Sequence, residues 1–110
     1  MSRSIPSRLI IGILLLGWLP GAVSAQPPAP SNLQSTVSGA AVTLSWTPPV
    51  GGPYTFRIEA GSGPGLTNVA TVVVSVPYAS FTAVPVGTYH LRVRTLGMGL
   101  VSAPSSEVIV

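Results

Sequence analysis

Gly87-Thr88-Tyr89-His90-Leu91-Arg92-Val93-Arg94-Thr95-Leu96 is the stretch on which the reading of this chain turns. It alternates without a break, with Tyr89, Leu91 and Val93 on one side and His90, Arg92 and Arg94 on the other. Successive side chains of a strand point to opposite faces, so this is a strand with one buried and one wet face. It also holds three of the six Arg and His residues in the chain. It reads as the central strand of a small β-sandwich, and the other segments are placed against it.

Just before it, Ser80 to Val84 forms a short strand that Pro85-Val86-Gly87 ends, and Pro77-Tyr78 separates that strand from the segment ahead of it. That segment, Val69 to Val76, is nearly all apolar. Either it is buried on both faces or it is an edge strand with an exposed apolar side; a small sandwich favours the second, and such an edge invites pairing with other chains. Gly61 to Asn68 (Gly-Ser-Gly-Pro-Gly-Leu-Thr-Asn) is a loop. Its glycines invite a phosphate-binding reading, but neither a Lys-Ser/Thr pair nor a helical pattern follows, and turn chemistry accounts for them. Tyr54 to Ala60 alternates again, with Tyr54, Phe56, Ile58 and Ala60 opposite Thr55, Arg57 and Glu59. Ala41 to Thr47 does the same, with Val42, Leu44 and Trp46 as its apolar face, before Pro48-Pro49 stops it. Leu33 to Val37 makes a modest first strand. After Leu96 come a loop through Ser105 and a last strand from Ser106 to Val110. Seven short strands, no helical periodicity and no Cys give an all-β sandwich.

The 110 residues allow one domain, and residues 1–25 read as a secretory signal peptide. Arg3 and Arg8 precede the eleven-residue apolar run Leu9 to Leu19, and Ala22-Val23-Ser24-Ala25 ends in small residues suited to cleavage after Ala25. The run is far short of the ~20 residues a membrane span needs, so contact with a membrane is expected only in transit. Residues 26–32 form a Pro-rich, extended lead-in, and residues 33–110 form the sandwich. The expected location is outside the cytoplasm: secreted, periplasmic or at the cell surface. A composition rich in Pro and Gly and free of Lys points to a bacterium with a GC-rich genome.

Charge is sparse. Beyond residue 25 only Arg57, Arg92 and Arg94 stand against Glu59 and Glu107, a formal +1. Nucleic acid wants a stripe of Lys and Arg, and no such stripe exists. Without Cys there is no disulfide framework, thiolate metal site or thiol nucleophile. His90 is the single histidine and Asp is absent, so a hydrolytic triad or a metal site lacks members. Glu59 in mid-strand and Glu107 at the start of the last strand are poorly placed as a glycosidase pair. The expectation is a non-catalytic protein without cofactor or metal.

Several of these segments together resemble a fibronectin type III domain. They are Ser31-Asn32-Leu33, the run Val42-Thr43-Leu44-Ser45-Trp46 before Pro48-Pro49, Gly87 to Arg94, and Ser102-Ala103-Pro104-Ser105-Ser106-Glu107-Val108. The resemblance covers about residues 28 to 110 and implies a seven-stranded, immunoglobulin-like antiparallel sandwich. It implies that Trp46 and Phe56 are core residues. It further implies that Tyr89 is a "tyrosine corner", its hydroxyl bonding back to backbone near Ala83 or Val84. The family usually has Leu before a Pro-Gly-Thr turn, whereas Ala83-Val84-Pro85-Val86-Gly87-Thr88 stands here with different spacing. Arg-Gly-Asp is absent, so integrin binding has no support.

The third and sixth strands of that fold are neighbours, which places Arg57, Glu59, His90, Arg92 and Arg94 on one outward sheet face. The plain reading is a solvated face with Glu59 paired to an Arg across the strands. The functional reading is a binding face whose guanidinium groups grip carboxylates or sulfates. Tyr54 and Tyr78, beside Pro-rich turns, are either sugar-stacking platforms or edge-of-core residues. The expected function is that of a secreted spacer, adhesion or protein-interaction module with a protein or polysaccharide partner. The alternatives are a carbohydrate- or polymer-binding accessory domain, or the amino-terminal piece of a larger exported protein.

Overall fold

The computed structural model describes residues 26–110, so the expected signal peptide and its cleavage point lie outside the described residues. Eight strands form among the described residues: β1 (Ser31–Ser38), β2 (Ala41–Thr47), β3 (Thr55–Gly61), β4 (Ala70–Val74), β5 (Tyr78–Phe81), β6 (His90–Gly97), β7 (Leu100–Val101) and β8 (Val108–Ile109). They make two antiparallel sheets. The small one runs β1-β2-β5; in the large one β4, β3 and β6 lie side by side, and β7 and β8 both pair with the far side of β6.

The alternation in the sequence explains the layering. Leu33, Val42, Leu44 and Trp46 from the small sheet meet Phe56, Ile58, Leu91 and Val93 from the large one, all of them buried. Trp46 and Phe56 pack edge to face with ring centroids 5.5 Å apart and planes at 68°. That geometry contributes about 0.5–1.5 kcal/mol beyond burial alone. Both residues hold the core positions expected of them. β4 is an edge strand with Val73 exposed, as its apolar run suggested.

Several strand ends shift from expectation, and three differences have a clear local reason. β1 begins at Ser31 rather than Leu33, because a register shift between Ser31 and Gln34, with Asn32 at φ 55°, turns Leu33 into the core. β5 spans Tyr78–Phe81 rather than Ser80–Val84. Pro77 lacks an N–H but its carbonyl still accepts the Trp46 N–H at 3.2 Å, so pairing resumes directly after it. The strand stops where Ala83 adopts φ 55° and Val84 N–H turns to the Ala40 carbonyl, 2.9 Å away.

The third difference is the strand count. β7 and β8 are the two ends of one edge strand, and Ser102-Ala103-Pro104-Ser105 interrupts it without breaking its contact with β6. Ser102 N–H donates to the Thr95 carbonyl and Ser105 N–H to the Val93 carbonyl. In return Thr95 N–H donates to Ser102 Oγ at 2.8 Å and Val93 N–H to Ser105 Oγ at 3.0 Å. Each hydroxyl then donates to a nearby carbonyl, that of Ala103 or Ser106. Side-chain oxygens therefore stand where an ordinary strand would offer carbonyls. Pro104 costs nothing there, since its missing N–H is never asked for.

Tyr89 fastens the chain just before β6. Its N–H and carbonyl both bond to Val110 at 2.9 Å. Its hydroxyl donates to the Pro85 carbonyl at 2.7 Å. The corner forms, but on Pro85, not Ala83 or Val84. Ala83's left-handed backbone and the Val84–Ala40 bond carry the turn onward, and Pro85 is the residue that presents its carbonyl.

Candidate functional site

The outward face of the large sheet is organised by the register of β3 and β6. Arg57 lies opposite Arg94, Glu59 opposite Arg92 and Gly61 opposite His90. Like charges directly opposite one another repel. Here Glu59 relieves that repulsion, because all three guanidinium groups converge on it. Arg92 Nε donates to Oε1 at 2.7 Å, Arg57 Nε to Oε2 at 3.0 Å, and Arg94 Nε to both oxygens at 3.1 Å. Arg94 Nη1 also donates to the Ser102 carbonyl at 3.1 Å, tying the cluster to the interrupted edge.

Glu59 is therefore not part of a solvated face as expected. It is only 5% exposed, covered by the aliphatic stems and planar heads of the arginines. Burial pushes its carboxyl pKa upward, but hydrogen bonds from Arg92 and Arg94 and their charges outweigh that and hold it below the ordinary 4.5.

His90 joins a second, adjoining group. Its Nδ1 lies 3.2 Å from Glu107 Oε1, and Glu107 Oε2 accepts the Gly65 N–H at 2.9 Å. The Gly65 hydrogen bond is the main reason the Glu107 carboxyl sits below 4.5; burial opposes it, and the His90 bond and the Arg92 charge reinforce it. The glycine-rich loop reaches Glu107 because Gly61 has no side chain: a Cβ there would overlap the Leu66 carbonyl. Asn68 closes the loop by accepting the Ser62 N–H at 3.0 Å.

The five residues expected on this face are thus brought to it, with Glu107, expected apart, drawn in through His90 and Gly65. Ser102 and Ser105, expected as loop residues of a family-like segment, and Gly65, expected as a turn residue, prove to be bonding groups of the site. The Ser-Ala-Pro-Ser spacing was the signal, since serines three apart around a proline suit a segment that bonds through side chains. Tyr54 packs over Gly97, where a Cβ would come 2.9 Å from its ring. Tyr78 is exposed on the outer face of the small sheet, away from the arginines. Both carboxylates are held anionic by their donors, which suits neither to general acid work near neutral pH. Among the described residues no group of three His, Asp, Glu or Cys side chains is placed to hold a metal.

Comparison with solved structures decides the architecture. A Fn3-like protein from Clostridium thermocellum superposes with a TM-score of 0.64 at 21% identity, covering 77% of this chain and 92% of that one. The fold is fibronectin type III. The FN5 domain of Drosophila Lar gives a TM-score of 0.61 at 22% identity, over 76% of this chain and 94% of the other. The chicken CNTN1 FN1–FN3 domains give 0.66 at 16% identity, but this chain spans only 31% of their length. No protein-family model matches the sequence, and no curated protein does. At these identities the likeness concerns the fold alone. The fibronectin type III frame accounts for the Trp46 core and the Tyr89 corner; the three-arginine cluster has to be explained from its own chemistry.

Proposed function

We propose that this fibronectin type III module is exported and works by contact rather than catalysis, as an adhesion or interaction domain, with Arg57 and Arg94 as its grip. Its partner carries carboxylates or sulfates. The observation that carries this reading is the way Glu59 holds the arginines. Three positive charges meet one buried negative charge, so the cluster keeps a local excess of +2. Arg57 is bound through Nε, and Arg94 through Nε and through Nη1 to the Ser102 carbonyl; the two side chains are still 31% and 23% exposed. Free arginines lose considerable rotamer freedom on binding, and these two are already ordered. Planar guanidinium edges fit carboxylate and sulfate oxygens two at a time.

The leader-like features of residues 1–25 support export, and amino-terminal sequencing of the secreted product should begin at Gln26. Binding is tested on dextran sulfate, polygalacturonate and poly-glutamate, with neutral dextran as the control. At least one anionic polymer should bind, more weakly as salt rises, and Arg57→Gln with Arg94→Gln should weaken it at least tenfold. Equal retention of the double variant, or no binding to any of the three at low salt, would sink the reading.

A further inference from the structure

The two edges of the large sheet differ. Beyond β6 lie β7, the serine-bonded segment with Pro104, and β8. At the opposite side β4 pairs with β3 alone. Exposed edges in soluble proteins usually carry a charge, a proline or a bulge that discourages further pairing. Val69 to Val76 (Val-Ala-Thr-Val-Val-Val-Ser-Val) has neither charge nor proline, and its pairing with β3 is unbroken from Ala70 to Val74. Val69, Val73 and Val76 are 47%, 58% and 39% exposed.

Beside this edge the two sheets part. A cleft of about 300 Å³ opens between β4 and the β5 side, walled by Ile58, Val72, Phe81, Ala83, Val84 and Leu91 among other apolar groups. A chain that extended the sheet past β4 would direct every second side chain toward this cleft. Such an occupant must be extended, apolar on its inner side and uncharged, because a charge placed there would have no partner. A second β4 has these properties. An antiparallel pair with a two-fold axis through Val72 matches Ala70 with Val74 and Thr71 with Val73 of the other copy. The axis is perpendicular to the sheet, so both inner faces stay on one side and the two clefts open toward each other. The charged side chains next to β4, Arg57 opposite Val73 and Glu59 opposite Thr71, lie one strand away and are bonded to each other. With a net +1 over residues 26–110, a second copy is not strongly repelled.

We propose that β4 pairs antiparallel with β4 of a second copy, joining two large sheets into one and covering both clefts. The contact is self-complementary, as two-fold interfaces are, and it closes at two copies. Short-strand pairing of this kind falls near the low end of specific interfaces, about 1,000 Å², so the dimer should be a weak one. Both arginine faces would then lie on the same side of the continuous sheet. The pairing does not rest on what those faces bind.

Sedimentation equilibrium on the full chain, expressed for export and purified, tests this across about 5–500 μM, the range in which such weak interfaces dissociate. The wild type should move reversibly from monomer to dimer. Thr71→Lys with Val73→Lys places like charges opposite each other across the two-fold, and so does Thr71→Glu with Val73→Glu. Both positions are exposed, and circular dichroism confirms that each variant is folded. Each variant alone should remain monomeric, with a dimer Kd raised at least tenfold, and an equimolar mixture should recover a dimer. A monomeric wild type at the highest concentration overturns the proposal. So does growth beyond a dimer, or dimerisation of the Lys variant with unchanged Kd.

Discussion

Replacing Ser102 with Ala removes a single hydroxyl and should cost far more than a surface serine normally does. Thr95, whose N–H donates to that hydroxyl, is fully buried, and Ser102 itself is 1% exposed. Water cannot reach the orphaned N–H, and the Pro104 turn fixes the backbone too closely for another carbonyl to replace the hydroxyl. An unsatisfied buried donor costs about 1–3 kcal/mol. Ser105→Ala does the same to the N–H of Val93, also fully buried. The two sites share one segment, so the double variant should lose about 2–5 kcal/mol rather than a strict sum. Urea unfolding followed by tryptophan fluorescence measures this, Trp46 being the only tryptophan after residue 25. For a domain of this size the slope is about 1 kcal/mol per molar, so each single variant should lower the midpoint by about 1–3 M. Ser106→Ala is the control, since Ser106 is exposed and contributes only its carbonyl. A Ser102→Ala midpoint within 0.3 M of the Ser106→Ala control (a threshold of about 0.3 kcal/mol at that slope) would refute the idea that hydroxyls replace a strand here.

Thr95 supplies the opposite case. Its Oγ1 is buried without a partner, so Thr95→Val should raise stability by about 1 kcal/mol, and a lower melting temperature would contradict this. Glu59 and Glu107 both have folded pKa values below 4.5, so their stabilisation is complete above that pH and is lost as pH falls through the folded values. Thermal melts from pH 7 to 2 should therefore decline in acid. Glu59→Gln should melt lower at pH 7 by the equivalent of about 2–3 kcal/mol, short of a fully buried pair because the arginines can turn to solvent. It should also flatten the acid decline, and an unchanged acid slope would count against the cluster. Tyr89→Phe should cost about 1 kcal/mol through loss of the Pro85 bond, and an unchanged denaturation midpoint would mean the corner adds nothing.

The strands were legible wherever one face is buried and the other wet, because period-two alternation is then written into the residues. Ala41–Thr47 was read to the residue. Arg57, Glu59, Arg92 and Arg94 could be placed on one face because strand neighbours in this fold bring them there. Burial of Glu59 was not legible. It follows from three long side chains folding over one carboxylate, and the sequence shows only that the charges share a face. The Ser102–Ser105 segment stayed hidden because hydrophobic pattern carries no record of which oxygen accepts a bond. Pro77-Tyr78 reads as a separator between two strands, yet the Pro77 carbonyl still accepts a bond and Tyr78 begins β5.

Net charge and charge asymmetry are separate properties, and this molecule differs sharply in the two. Every Arg, Glu and His side chain among the described residues belongs to the groups around Glu59 and Glu107 on the large sheet. The outer face of the small sheet carries hydroxyls instead, with Thr43 and Ser80 side by side at 3.4 Å. In free solution such a body migrates slowly in an electric field. Near an anionic surface it feels a torque as well as an attraction, and it should settle large sheet downward. Adsorbed molecules would then share one orientation, with neutral hydroxyl faces turned to the solvent.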